Sequence, residues 1–300
     1  SVRNGVSWFR PAFLRLRQVL RRLLPREPAG PEEAAVSLEM GRILERVLRI
    51  SYYTGQNLQL LYSCIASLAF CERAGPSVDL ATAYINAGAT ASIFPMHGVA
   101  RSYIGRASEL LQAHPDPVVE SQLRMVEGVY YMGIGDQEQA IERIQRGIQV
   151  AKRIGFGRRE DECTAVRSAI DIHAGRHAAI DTGCAKVEES ARRRGDTQMI
   201  SWSMLQQVEV LVMRGSFDAA RDQLAGLWAM FSLSERPEKI WILGFAAYTE
   251  YRVGDWSAAI EHADQAAKLV AEGPPVHNYY INALDRLAEH AYGAFGSIRL

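Results

Sequence analysis

The sequence predicts an all-α array of helix-turn-helix repeats with a period near 40 residues. Three observations carry that expectation. The first is a recurring phrase in which a glycine is followed, after a few residues, by small residues. It runs Gly254-Asp255-Trp256-Ser257-Ala258-Ala259-Ile260, and its earlier versions begin at Gly215, Gly175 and Gly135, at intervals of 39, 40 and 40. The second is helical spacing. Ala258, Ala259, Ile260, Ala263, Ala266 and Ala267 recur as one small, apolar face, which lets a neighbouring helix approach closely. The third is that no segment reads as strand. A fixed period of this length is the mark of a helical array.

The helices follow in order. The first predicted pair is 33–53 with 58–74, turning at Thr54-Gly55-Gln56-Asn57 and closing at Gly75-Pro76. The next A helix covers 78–94, and its degenerate turn is Pro95-Met96-His97-Gly98. Then come 117–132 with 136–154, 158–173 with 177–194, 198–213 with 217–232, and 237–252 with 256–272. A seventh A helix is predicted over 277–292. Gly135, Gly215 and Gly254 are expected between antiparallel helices, at least some with positive φ, where a Cβ is penalised. Ala259 and Ala266, two turns apart, are expected where helices cross.

Residues 1–31 stand apart from 32–300. Seven arginines, from Arg3 to Arg26, precede the first acidic residue, Glu27. Pro11 suits a first helical turn, and Phe13, Leu14, Leu16, Val19, Leu20, Leu23 and Leu24 give an apolar stripe. Pro25, Pro28, Gly30 and Pro31 form a linker. Such a basic amphipathic helix can dock on a neighbouring domain, cap the array, lie on an anionic membrane or bind nucleic acid.

Composition narrows the function classes. The 34 basic and 34 acidic residues cancel, so no nucleic-acid partner is expected for the whole chain. No apolar run is long enough to span a membrane. The chain opens on Ser1 rather than Met, which points to a processed or excised piece. Cys64, Cys71, Cys163 and Cys184 form no CxxC pair; they read as small buried thiols in a reducing cytoplasm.

No catalytic, cofactor or metal signature is found. There is no phosphate loop, no GxGxxG after a strand and no GxSxG elbow. His173 and His177 have helical metal-pair spacing, but Gly175 between them places them on different helices. Glu160, Asp161 and Glu162 open a helix, where carboxylates complement its dipole.

The unit Gly-Asp-Trp-Ser-Ala-Ala-Ile-Glu at 254–261 resembles the core of tetratricopeptide (TPR) repeats, and the match extends over about 55–292. A standard TPR has about 34 residues, so this array departs in length. The longer period resembles the TPR-like regions of bacterial signal-transduction ATPases, such as regulators related to the maltose activator and ATPases linked to class III adenylate cyclases. The run from Leu60 to Tyr84 is similar to the stretch that follows the ATPase module in the cyclase-linked group.

That resemblance implies a right-handed superhelix of about six repeats whose A helices line a concave groove. It implies an ATPase ahead of residue 1, joined through residues 1–31. Carrying over TPR ligand spacing, counted back from each turn glycine, marks Arg49 and Tyr52 in the first repeat and Asn86 in the second. It marks Trp202, Glu209 and Met213 in the fifth, and Trp241, Tyr248, Tyr251 and Arg252 in the sixth. The Lys/Asn clamp that grips a C-terminal carboxylate in chaperone-binding TPRs is not matched. The expectation is a non-enzymatic scaffold that binds a protein or peptide in a signalling ATPase or transcriptional regulator. The alternatives are a metabolite sensor using the same groove, or an accessory subunit of a biosynthetic complex.

Overall fold

The computed structural model describes residues 30–272, apart from 55, 94–95, 178–179 and 235. The expectations for residues 1–29, Gly55, Phe94 and the 277–292 helix lie outside the described residues. Twelve α-helices and no strand occur among those described. They form two compact units, one up to Val126 and one from Glu127 onward.

The first unit contains α1 (Pro31–Tyr53), α2 (Asn57–Ala74), α3 (Val78–Ile93), α4 (His97–Ala113) and the start of α5 (Pro117–Gly133). The second holds the rest of α5, then α6 (Gln137–Arg153), α7 (Gly157–His173), α8 (Ile180–Arg194), α9 (Thr197–Met213) and α10 (Phe217–Met230). A 3₁₀ turn (Phe231–Leu233), α11 (Arg236–Val253) and α12 (Trp256–Ala271) complete it. Helix ends fall within a few residues of those predicted. Consecutive helices pack on one another, with α1 on α2, α3 on α4, α9 on α10 and α11 on α12.

One turn chemistry recurs at six of the seven helix junctions of the second unit, the exception being the 3₁₀ turn between α10 and α11. Gly135, Gly155, Gly175, Gly195, Gly215 and Gly254 all have φ between 66° and 93°. After α5, the Gly135 amide donates to the Met132 carbonyl at 3.1 Å and the Asp136 amide to the Tyr131 carbonyl at 3.0 Å. This crossed pair satisfies carbonyls left open at the helix end. The same pair recurs at all six glycines. No atom stands within 4 Å of a Cβ built at Gly135, so backbone conformation alone demands glycine there. At five of the six, all but Gly175, the residue after the glycine is the N-cap of the next helix. Asp136, Asp196 and Asp255 each accept a hydrogen bond from the backbone amide three residues on, at 3.1–3.2 Å.

Small residues then set how closely helices cross. Ala140, Ala220 and Ala259 stand at matching places on α6, α10 and α12, and all three are fully buried. Ala266 is buried as well, as its spacing predicts. Gly128 on α5 comes so near α6 that an added Cβ would fall 2.3 Å from Ile144 Cγ1. In the first unit Gly41 plays this part on α1, where a Cβ would meet Cys71 Sγ at 2.5 Å, and Ser67 Oγ donates to the Gly41 carbonyl at 2.9 Å. Met199, Leu205, Val208, Leu224, Leu227 and Ile242 build the main core between α9, α10 and α11. Burying each such side chain contributes about 1.5–3 kcal/mol.

The four cysteines are free and buried. Burial pushes the Cys71 thiol up to about 11 and those of Cys163 and Cys184 up to about 12. At neutral pH they stay protonated and behave as small apolar residues. The acidic start of α7 is satisfied by neighbouring arginines. Asp161 accepts from Arg194 at 2.6 Å, and Glu162 pairs with Arg158 and Arg159.

Candidate functional site

In the second unit α7 packs beside α9, and α9 beside α11. Two different surfaces are built where these A helices meet. Near their first turns runs a polar ladder. Arg158, Gln198 and Glu238 occupy the same place in three successive A helices, 40 residues apart. Arg158 Nη2 donates to Gln198 Oε1 at 2.9 Å, and Gln198 Nε2 to Glu238 Oε1 at 3.3 Å. Arg158 Nη1 also reaches Asp196 Oδ2 at 2.7 Å. Asp196 therefore caps α9 and ties it to α7. The Trp202 indole adds a second donor to Glu238 Oε1, at 3.2 Å.

Glu238 is only 7% exposed. The positive end of the α11 dipole, where it sits, favours a carboxylate. Such lateral bonds fix the register of neighbouring helices.

The opposite ends of these helices carry an aromatic and arginine patch. Tyr248, Tyr251 and Arg252 close α11. Arg252 Nη1 donates to Tyr248 Oη at 2.9 Å, and its guanidinium lies over two rings, 5.8 Å from the Tyr248 centroid and 5.1 Å from that of Phe217. Phe217 opens α10, so this stack joins the α9–α10 turn to the end of α11. Tyr251 meets Trp256 edge-on at 5.7 Å and packs on Ala259. Trp256 remains 47% exposed, and Met213, at the same end of α9, is 56% exposed. Rings already clamped by cation–π and edge contacts lose little freedom when a partner covers them. One turn before Met213 stands Glu209, whose carboxyl burial pushes up to about 7.

The residues marked by TPR spacing separate into several environments. Tyr248, Tyr251 and Arg252 come together in the patch. Trp202 is half-buried in the ladder. Trp241 is only 8% exposed, seated in the core and tilted against Phe245 with centroids 6.3 Å apart. In the first unit Arg49 is exposed on α1 and pairs with Glu45 at 3.5 Å, and Tyr52 is exposed one turn on. Asn86, on α3, accepts from Gln122 Nε2 of α5 at 3.1 Å. Residues of these surfaces that the spacing did not mark include Arg158, Gln198, Glu238, Phe217 and Trp256. The 40-residue interval between polar residues in the first turn of A helices is the signal that reveals the first three.

No group of three or more His, Cys, Asp or Glu side chains is arranged to hold a metal ion among the described residues. No described helix is long and apolar enough to cross a membrane. Comparison with protein-family models and with curated proteins finds no match.

Proposed function

We propose that the chain is a TPR-like array of about six repeats, wound as a right-handed superhelix, and that it serves as a non-enzymatic scaffold binding a protein or peptide. In this reading it is the sensing arm of a cytoplasmic signalling ATPase or transcriptional regulator. The observation that carries the binding role is the patch of Phe217, Tyr248, Tyr251, Arg252 and Trp256. It gathers the residue types that dominate interface energies, already pre-organised and still partly exposed. The recurring glycine turn and the buried small residues support the repeat reading.

A random-peptide display selection against the full chain tests the role. Ligands should be enriched, and Arg252→Ala combined with Trp256→Ala should abolish their capture while the helical circular-dichroism signal holds. An absence of enrichment, or ligands indifferent to both substitutions, contradicts the proposal. A small molecule retained in native mass spectrometry and competing with those peptides would instead favour a metabolite sensor.

A further inference from the structure

Glu209, on α9, is a carboxylate without a counterpart. On the neighbouring A helices Asp171 accepts from Arg167 and Arg176, Glu238 from Gln198 and Trp202, and Glu250 from Arg221. Glu209 has no hydrogen-bond or ion-pair partner among the described residues. One turn to either side on α9 stand Leu205, Gln206, Val212 and Met213, none of them charged. The cation of the patch, Arg252, is engaged by Tyr248 and Phe217. Arg214, which follows α9, is held by Asp181 and the His177 carbonyl.

The Glu209 side chain is nevertheless partly exposed. Burial raises its carboxyl to about 7, and no charged group contributes to that shift. A group both stripped of water and reachable from solvent sits in a recess open on one side. Leaving a charge unpaired there destabilises the free chain. A cation brought by a ligand reverses that penalty.

We propose that Glu209 receives a lysine or arginine side chain of the peptide bound at the aromatic patch. The inference rests on the binding role proposed above and gives that peptide its chemistry. Position supports it. Met213 is exposed and ends α9, at the turn that leads to Phe217, the ring under Arg252. A ligand that covers the patch and Met213 therefore passes within one helical turn, about 6 Å along the axis, of Glu209. Met213 offers an apolar surface to the methylene stem of a basic residue. Chemistry supports it as well. Charge-assisted bonds gain strength where water competes weakly. The C-terminal end of α9 adds the negative pole of a helix dipole. A neutral ligand leaves the carboxyl unmatched, and an acidic one meets like charge, so Glu209 also excludes wrong partners.

The test is a random-peptide display selection on the full chain, followed by a binding cycle with Glu209→Gln. Peptides selected on the wild type should carry a lysine or arginine at one fixed place. Exchanging that residue for norleucine, which has an aliphatic stem and no charge, should weaken binding to the wild type by about tenfold or more. The same exchange should change binding to Glu209→Gln by less than about twofold. Glutamine keeps the size of the side chain, and any general damage to the fold would weaken both peptides alike, so the cycle isolates the charge pair. Selected peptides that need Arg252 and Trp256 but carry no fixed basic residue would overturn this inference and leave the binding role standing. Equal sensitivity of both chains to the norleucine exchange would overturn it too, because the cation would then be read by another group. A selection that enriches no peptide would overturn both the inference and the binding role beneath it.

Discussion

The two units end their helices by different means. In the second, six of the seven junctions use one motif, a left-handed glycine with crossed carbonyl bonds, and at five of those six the next residue is the N-cap of the following helix. In the first, each described junction differs. Gly75 is left-handed and its amide bonds to the Cys71 carbonyl, whereas Met96 opens α4 without a side-chain cap. Between α4 and α5 the chain relies on Pro115 and Pro117, with Asp116 Oδ1 accepting from the amides of Val118 and Val119 at 2.9 and 3.0 Å. The difference teaches where the period resides. It belongs to the turn chemistry; the lengths of the helices follow from it. Their surfaces differ as well: the regular unit carries the ring-and-arginine patch, and the irregular one exposes Val36, Ile43 and Ile50 along α1.

The sharpest division lies between core and patch within the second unit. Trp241→Ala should lower unfolding free energy by about 3–5 kcal/mol in chemical denaturation. Arg252→Ala, which removes only the surface stack, should cost about 1 kcal/mol or less. Equal costs would erase the distinction between the two environments.

The next test concerns the turns. Gly254→Val forces a β-branched residue into a left-handed conformation and should cost about 1–3 kcal/mol. Gly88→Ala in the first unit should destabilise for another reason, because its Cβ would lie 2.9 Å from Ile104 Cγ1. Truncating Ile104 to Ala, which removes that Cγ1, should relieve the Gly88→Ala clash and leave the Gly254→Val cost unchanged.

The architecture was legible in the sequence because glycine at positive φ and small residues at helix crossings have few substitutes. Gly135, Gly215 and Gly254 therefore stood out, as did Ala259 and Ala266. The surfaces were less legible. From Arg158 to Gly175 and from Gln198 to Gly215 there are 17 residues, but from Glu238 to Gly254 there are 16. Counting back from the glycine sets Trp241 level with Trp202, whereas counting forward from the ladder gives Ile242. A one-residue slip turns a helical side chain by about 100°, and Trp241 accordingly lies in the core. The ladder escaped notice because Arg, Gln and Glu share no letter, only the capacity to bond in series.

Glu209 offers a smaller, pH-dependent effect. Its carboxyl is raised from 4.5 to about 7 by burial, so the fold favours the protonated form. The stability it allows is complete below pH 4.5 and is lost as pH rises through about 7. Glu209→Gln should therefore match the wild type at pH 4 and be more stable by about 1–2 kcal/mol at pH 8. Melting curves across that range would check it, and a gap that widens toward acid would refute it. Smaller still is the cap. Asp136→Ala should cost about 1 kcal/mol, seen as a lowered denaturation midpoint.

The central claim is that the patch at the end of α11 binds a partner and does not hold the fold together. The most direct measurement pairs the affinity of a display-selected peptide with thermal stability on one variant, Tyr248→Ala combined with Tyr251→Ala. The account predicts that affinity falls by about thirtyfold or more while the melting temperature moves by only a few degrees. Unchanged affinity with a collapsed melting temperature would show that these rings serve the core, and would contradict it.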